Sequence, residues 1–135
     1  MKALSLIQPW ATAIMVGNKL IETRSWKTPY RGRIAIHASK GFPKWAKEFA
    51  QIERALGRLP SRLPLGAIIG FATIVEMIRT DDLIYDISAI EKMYGDYSPG
   101  RWGWQLADVE RLPDDKIITC SGTLGLWDVP AELGL

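Results

Sequence analysis

The stretch Gly17-Asn18-Lys19-Leu20-Ile21-Glu22-Thr23-Arg24-Ser25-Trp26 sets two cations and a carboxylate between an apolar helical segment and an apolar strand. Read as a strand from Leu20 to Trp26, its period of two puts Glu22, Arg24 and Trp26 on one face and Ile21, Thr23 and Ser25 on the other. Lys19 then stands at the mouth of the strand. A charge-assisted hydrogen bond from Arg24 to Glu22 would hold the guanidinium still while Lys19 reaches the same space, an arrangement suited to an anion or a nucleobase. The competing reading is an ion-pair network that braces a helix-to-strand junction, where exposed pairs contribute little stability.

Outward from this stretch the chain alternates short strands and helices. Lys2 to Ile7 is apolar enough for a first strand, and Pro9 then suits the first position of a helix. Trp10, Ala13, Ile14 and Gly17 repeat at helical spacing, with Gly17 placed as a left-handed C-cap. Downstream, Thr28-Pro29-Tyr30-Arg31-Gly32 reads as a turn. Arg33 to Ser39 alternates with Ile34, Ile36 and Ala38 inward and His37 on the opposite face. Pro43 opens a helix that puts Trp45, Phe49, Ile52 and Leu56 on one stripe, read as buried, and Gly57 stops it. Gly66 to Ile78 is the most strand-like run, with Glu76 sharing a face with Ile74 and Ile78. A lone carboxylate there is expensive unless paired, which invites Lys19 or Arg24 as its partner. Asp81 to Tyr94 holds a short helix, Arg101 to Leu106 a strand, and Gly122 to Val129 a final strand. Five or six short strands with two or three helices predict a small curved sheet or barrel of α+β class.

At 135 residues, with 47% hydrophobic and 24% charged residues, the chain fits one domain over residues 1–135. No apolar run reaches the length of a membrane span, and the first residues are too short for a secretory signal. One cysteine, Cys120, allows no internal disulfide and agrees with a reducing, cytoplasmic setting. The net charge is +2, too mild to identify a nucleic-acid binder. Its distribution is uneven. Residues 1–60 hold 11 Lys and Arg against 3 Asp and Glu, and residues 61–135 hold 6 against 12. The fold decides whether this asymmetry survives in space. No metal-ligand spacing or phosphate loop stands out, and no cofactor is implied.

Gly17, Lys19, Glu22 and Arg24 together match the Gly-x-Lys-x-x-Glu-x-Arg hallmark of the ASCH domains in the PUA-like superfamily. Gln8-Pro9-Trp10-Ala11 before it, and Ser25-Trp26, Thr28-Pro29 and Arg31-Gly32-Arg33 after it, resemble in particular the ASCH domain of a eukaryotic transcription coactivator. The close match covers residues 5–38. The resemblance implies a small β-barrel with a cleft beside the motif that serves nucleic acid or nucleotide. Some bacterial members hydrolyse the amide of N4-acylated cytidine with a lysine, a threonine and a glutamate, and others are linked to RNA cleavage. Lys19 and Glu76 match that lysine and glutamate, whereas Glu22 stands where the threonine does. A carboxylate there would act as a base on water, where a hydroxyl would attack directly.

These readings nominate Lys19, Glu22 and Glu76 as a catalytic set. Lys19, Arg24, Trp26, Arg31, Arg33, His37 and Trp104 are nominated as nucleic-acid or nucleotide ligands. A lone histidine on a strand is more often a packed residue than an acid or base. Of the six tryptophans, Trp10, Trp26 and Trp104 are the stacking candidates, while Trp45 and Trp127 read as core. A basic surface from Lys27, Arg31, Arg33, Lys40, Lys44 and Lys47 would track a phosphate backbone. The partner expected is RNA, DNA or a nucleoside, with no membrane, and the protein is expected as a monomer or weak dimer.

Overall fold

The computed structural model describes residues 1–135. In chain order the elements are β1 (Lys2–Leu6), α1 (Trp10–Met15), β2 (Ile21–Arg24), β3 (Gly32–Ala38), α2 (Lys44–Ala55) and β4 (Ala67–Arg79). Then follow α3 (Thr80–Leu83), α4 (Ala89–Met93), β5 (Trp102–Arg111), β6 (Ile118–Thr119) and β7 (Leu126–Asp128). All strands join one sheet in the order β2-β5-β4-β3-β1-β7, with β6 beside the start of β4. Only β1 and β3 run parallel. The sheet curls into a half-barrel, the α+β small barrel expected, with four helices where two or three were anticipated.

The curl comes from β4. Its register against β5 shifts between Phe71 and Thr73 and again between Ile74 and Glu76, and each β-bulge sharpens the local twist. Bulges also reset the alternation of faces. Ile69, Ala72 and Ile74 all enter the inner cluster, while Ile68 packs on the outer one. Strict alternation from Ile74 to Ile78 therefore fails, and Glu76 is exposed instead of walled in.

Inside the curl, Leu4, Leu6, Ile34, Ile36 and Trp104 pack against Ala11, Ile14 and Met15 of α1. With six residues α1 is too short to be stable alone, so burial and capping hold it. Gln8, fully buried, accepts from the Thr12 N–H at 3.0 Å and donates to the Thr12 hydroxyl and the Pro64 carbonyl. Gly17 closes the helix at φ +88°, the left-handed cap that glycine adopts without steric cost. The predicted strand from Gly122 proved shorter. Only Leu126–Asp128 pairs, with β1, and residues 120–125 form a loop.

The α2 stripe is the second correction. Trp45, Ile52 and Leu56 are 59%, 59% and 58% exposed, and the helix buries Ala46, Ala50 and Glu53 instead. Those three also recur at helical spacing. Ala50 joins Ala13 of α1, Leu59 and Tyr94 in one cluster. The charge asymmetry is offset only in part, as Lys2, Arg31 and Arg33 pair with Asp128, Glu76 and Glu110 across the two halves.

Where β4 crosses α1 and β5, a Cβ on Gly70 would collide with the Met15 sulfur and the Glu110 carbonyl oxygen. Gly70→Ala should therefore cost about 1–3 kcal/mol through overpacking, seen as a lower urea midpoint with an unchanged m value. Wild-type stability in that variant would mean that β4 and β5 have room to separate.

Candidate functional site

The motif forms where α1 hands over to β2. Lys19 leaves the left-handed cap and turns inward, only 1% exposed, and donates from Nζ to the Tyr94 carbonyl at 2.9 Å. Two residues into a strand, Glu22 and Arg24 share a face as the period of two requires. Glu22 divides its carboxylate between the cations. Oε1 lies 3.3 Å from Lys19 Nζ, and Oε2 accepts from Arg24 Nε at 2.8 Å. Arg24 also donates from a terminal nitrogen to the Ser5 carbonyl at 2.9 Å. A second carboxylate supports the junction, as Glu91 of α4 accepts from the Leu20 and Ile21 N–H groups. Burial pushes the Glu91 carboxyl above its ordinary range, opposed by those N–H bonds and by the charge of Lys19.

Lys19, Glu22 and Arg24 line a cleft of about 550 Å³ between the sheet and the helices, a size that suits a nucleoside-scale ligand. Arg101 enters from β5's leading edge and is held by the Asp96 and Thr23 carbonyls. The rim is aromatic. Trp45 packs on Trp10 with ring centres 5.5 Å apart, and Trp10 stacks on Phe49 at 5.4 Å with planes 3° apart. Both Trp10 and Trp45 line the cleft.

Of the residues nominated from sequence, Lys19, Glu22, Arg24 and the stacking candidate Trp10 come together in this cleft, and the others do not. Glu76 points to solvent, 3.5 Å from Arg31 and accepting from the Met77 N–H, so it faces neither Lys19 nor the cleft. Arg33 is committed to Glu110 and the Asp108 carbonyl. Trp104 is fully buried and donates its indole N–H to the Trp26 carbonyl at 3.2 Å, which leaves no ring face for a base. Trp26, 36% exposed, rests edge-on against Trp104 and lines neither cavity described here. His37 is 2% exposed and lines a neighbouring cavity. Trp45, assigned to the core, is the exposed rim residue. The signal that would have found it is the competing Ala46-Ala50-Glu53 stripe. Asp96 and Arg101 gave no signal, because their place depends on the sheet register. No three His, Cys, Asp or Glu side chains are grouped to hold a metal, and no helix is long and apolar enough to cross a membrane.

Comparison with known proteins identifies the family and the fold. The chain is 36% identical to human Activating signal cointegrator 1 over 81 residues, 56% of this chain, and 33% identical to the mouse protein over the same length. It spans only 14% of those relatives. The crystal structure of ASCH from Zymomonas mobilis shares the fold, with a TM-score of 0.61 at 20% identity, covering 97% of this chain and 88% of that one. The sequence pattern of the ASCH domain matches residues 4–113, a span that holds the complete motif and runs from the middle of β1 through β5. With the half-barrel and the Gly17, Lys19, Glu22 and Arg24 constellation in place, the chain belongs to the ASCH domain family.

Proposed function

We propose that this domain binds single-stranded nucleic acid, or a nucleotide-like group, by taking one base into the motif cleft. The observation that carries this reading is the shared carboxylate of Glu22, which holds Lys19 and Arg24 side by side under an exposed tryptophan rim. Arg24 and Lys19 supply donors for a base carbonyl or phosphate oxygen, and Glu22 or Asp96 accepts from an exocyclic amine. Trp45 offers a ring face at the mouth. Lys44 and Lys47, on the same helix as Trp45 and without acidic partners, supply positive charge for a backbone that runs past the rim. RNA and DNA both fit this chemistry.

A second reading, hydrolysis of an N4-acylated cytidine, is favoured by one observation, the Lys19 amine lying 3.3 Å from the Glu22 carboxylate inside the cleft. It loses Glu76, and each Glu22 oxygen is already engaged by a cation, so neither is free to take a proton from an attacking water.

Affinity for a short single-stranded RNA or DNA should fall linearly with salt on logarithmic axes as counterions are released. A titration at low salt that detects neither ligand removes the proposal. Trp45→Ala should weaken binding by about 1–3 kcal/mol, the worth of one stacked base, while changing stability by less than about 1 kcal/mol, because the side chain is mostly exposed. Equal affinity in that variant would exclude the rim. The binding reading also expects no acetate release from N4-acetylcytidine. Release that disappears in Lys19→Met establishes the hydrolase instead.

A further inference from the structure

A second cavity of about 690 Å³ adjoins the motif cleft and shares Ser5, Arg24 and Ser39 with it. Ser5 and His37, register partners in the parallel β1–β3 ladder, form one side. The loop from Cys120 to Gly125, between β6 and β7, forms the other. His37 Nε2 faces the Cys120 carbonyl at 2.8 Å and therefore carries the proton toward it. The Ser5 hydroxyl, 2.9 Å from Nδ1, also accepts from the Trp127 indole N–H at 3.0 Å. This chain ties the loop to the sheet. Gly122 lets it come close, since a Cβ there would stand 2.5 Å from the Ser5 oxygen and 2.7 Å from the imidazole.

The chemistry of the lining has one sign. Arg24 and Lys40 bring positive charge, Ser39, Thr119, Ser121 and Thr123 bring hydroxyls, and none of the 14 lining residues is acidic. The motif cleft, by contrast, contains Glu22 and Asp96. Lys40 makes no ion pair. Arg24 uses Nε and one terminal nitrogen on Glu22 and Ser5, and its other terminal nitrogen has no protein acceptor. The backbone N–H groups of residues 121–125, five in succession, donate to no protein acceptor either. Uncommitted main-chain donors along a glycine-containing loop, with two cations opposite, form a receptor for an anion of high charge density.

We infer that this cavity is a phosphate subsite, which takes the monoester phosphate of a nucleotide or of an oligonucleotide end whose base occupies the motif cleft. The inference rests on the base-binding reading for the neighbouring cleft, and Arg24, on the wall between the two, touches both parts of the ligand. Two cations match a dianionic monoester better than the single charge of an internal phosphodiester.

Amide chemical shifts of the full chain, titrated in turn with inorganic phosphate, cytidine, its 5′- and 3′-monophosphates and cytidylyl-cytidine, test this. Phosphate alone should move the Gly122 and Gly125 signals. One of the two monophosphates should bind about tenfold or more tightly than cytidine, as expected for added charge-assisted bonds, and more tightly than the dinucleoside, whose phosphate is internal. That gain should vanish in Lys40→Gln and persist in Lys116→Gln, which lies outside both cavities. Equal affinity for cytidine and both monophosphates, with loop amides unmoved by phosphate, overturns the subsite while leaving the base cleft intact. Phosphate shifts confined to the loop, with no nucleoside perturbing Trp10 or Trp45, remove the base cleft and the joint site together.

Discussion

Two positive side chains occupy one buried corner of this domain because a single carboxylate, Glu22, is divided between them. Lys19 and Arg24 would repel each other in a low-dielectric cleft, and desolvating either alone costs several kcal/mol. Splitting the Glu22 oxygens lowers that repulsion and takes only Nε from the Arg24 guanidinium. Main-chain carbonyls of Tyr94 and Ser5 take one donor from each, so the geometry is fixed from the α4 end and from β1. What remains is a pair of oriented donors that need no reorganisation when a ligand arrives.

Tyr94 extends this constraint to the rim. Its carbonyl holds Lys19, and its hydroxyl donates to Glu53 of α2 at 2.7 Å. Glu53 is gripped from the other side by both Arg58 nitrogens, at 2.8 and 2.9 Å, which hold its carboxyl below the usual range. Burial and the Glu53 charge push the Tyr94 hydroxyl far above its ordinary value, so it stays a donor. Through this network α2 is locked to the motif, and Trp45 on the same helix is held at the mouth of the cleft. The helix offers its larger apolar residues to the outside because its polar anchor, Glu53, faces inward.

Local chemistry was readable where it depended on neighbours in sequence. The left-handed cap at Gly17 and the shared face of Glu22 and Arg24 follow from spacing alone, and so does the inward turn of Ile34, Ile36 and Ala38. Glu76 was misplaced because a bulge is a property of two strands, and no feature of β4 by itself announces where β5 slips. Trp45 and Trp104 exchanged roles for a similar reason. Size and apolarity made both look alike, and only the burial of the Ala46, Ala50 and Glu53 side of α2, with the register of Glu22 opposite Trp104, separates rim from core. The second cavity was invisible, since its walls come from residues 5, 24, 37, 39, 40, 65, 66 and 119–125, which only the β1–β3, β1–β7 and β4–β6 pairings assemble.

Those pairings also bear on how the molecule is made. Lys2 stands opposite Asp128, and β1 lies between β3 and β7, so one neighbour of β1 follows it closely in sequence and the other pairs only when a distant segment has folded back. Until then its outer edge is an unpaired row of N–H and C=O groups, the kind of template that recruits other chains. Contacts this distant in sequence slow folding by their loop-closure entropy. The late, three-residue β7 thus acts as an edge guard, and a nascent chain held before it emerges is the form most exposed to misassembly.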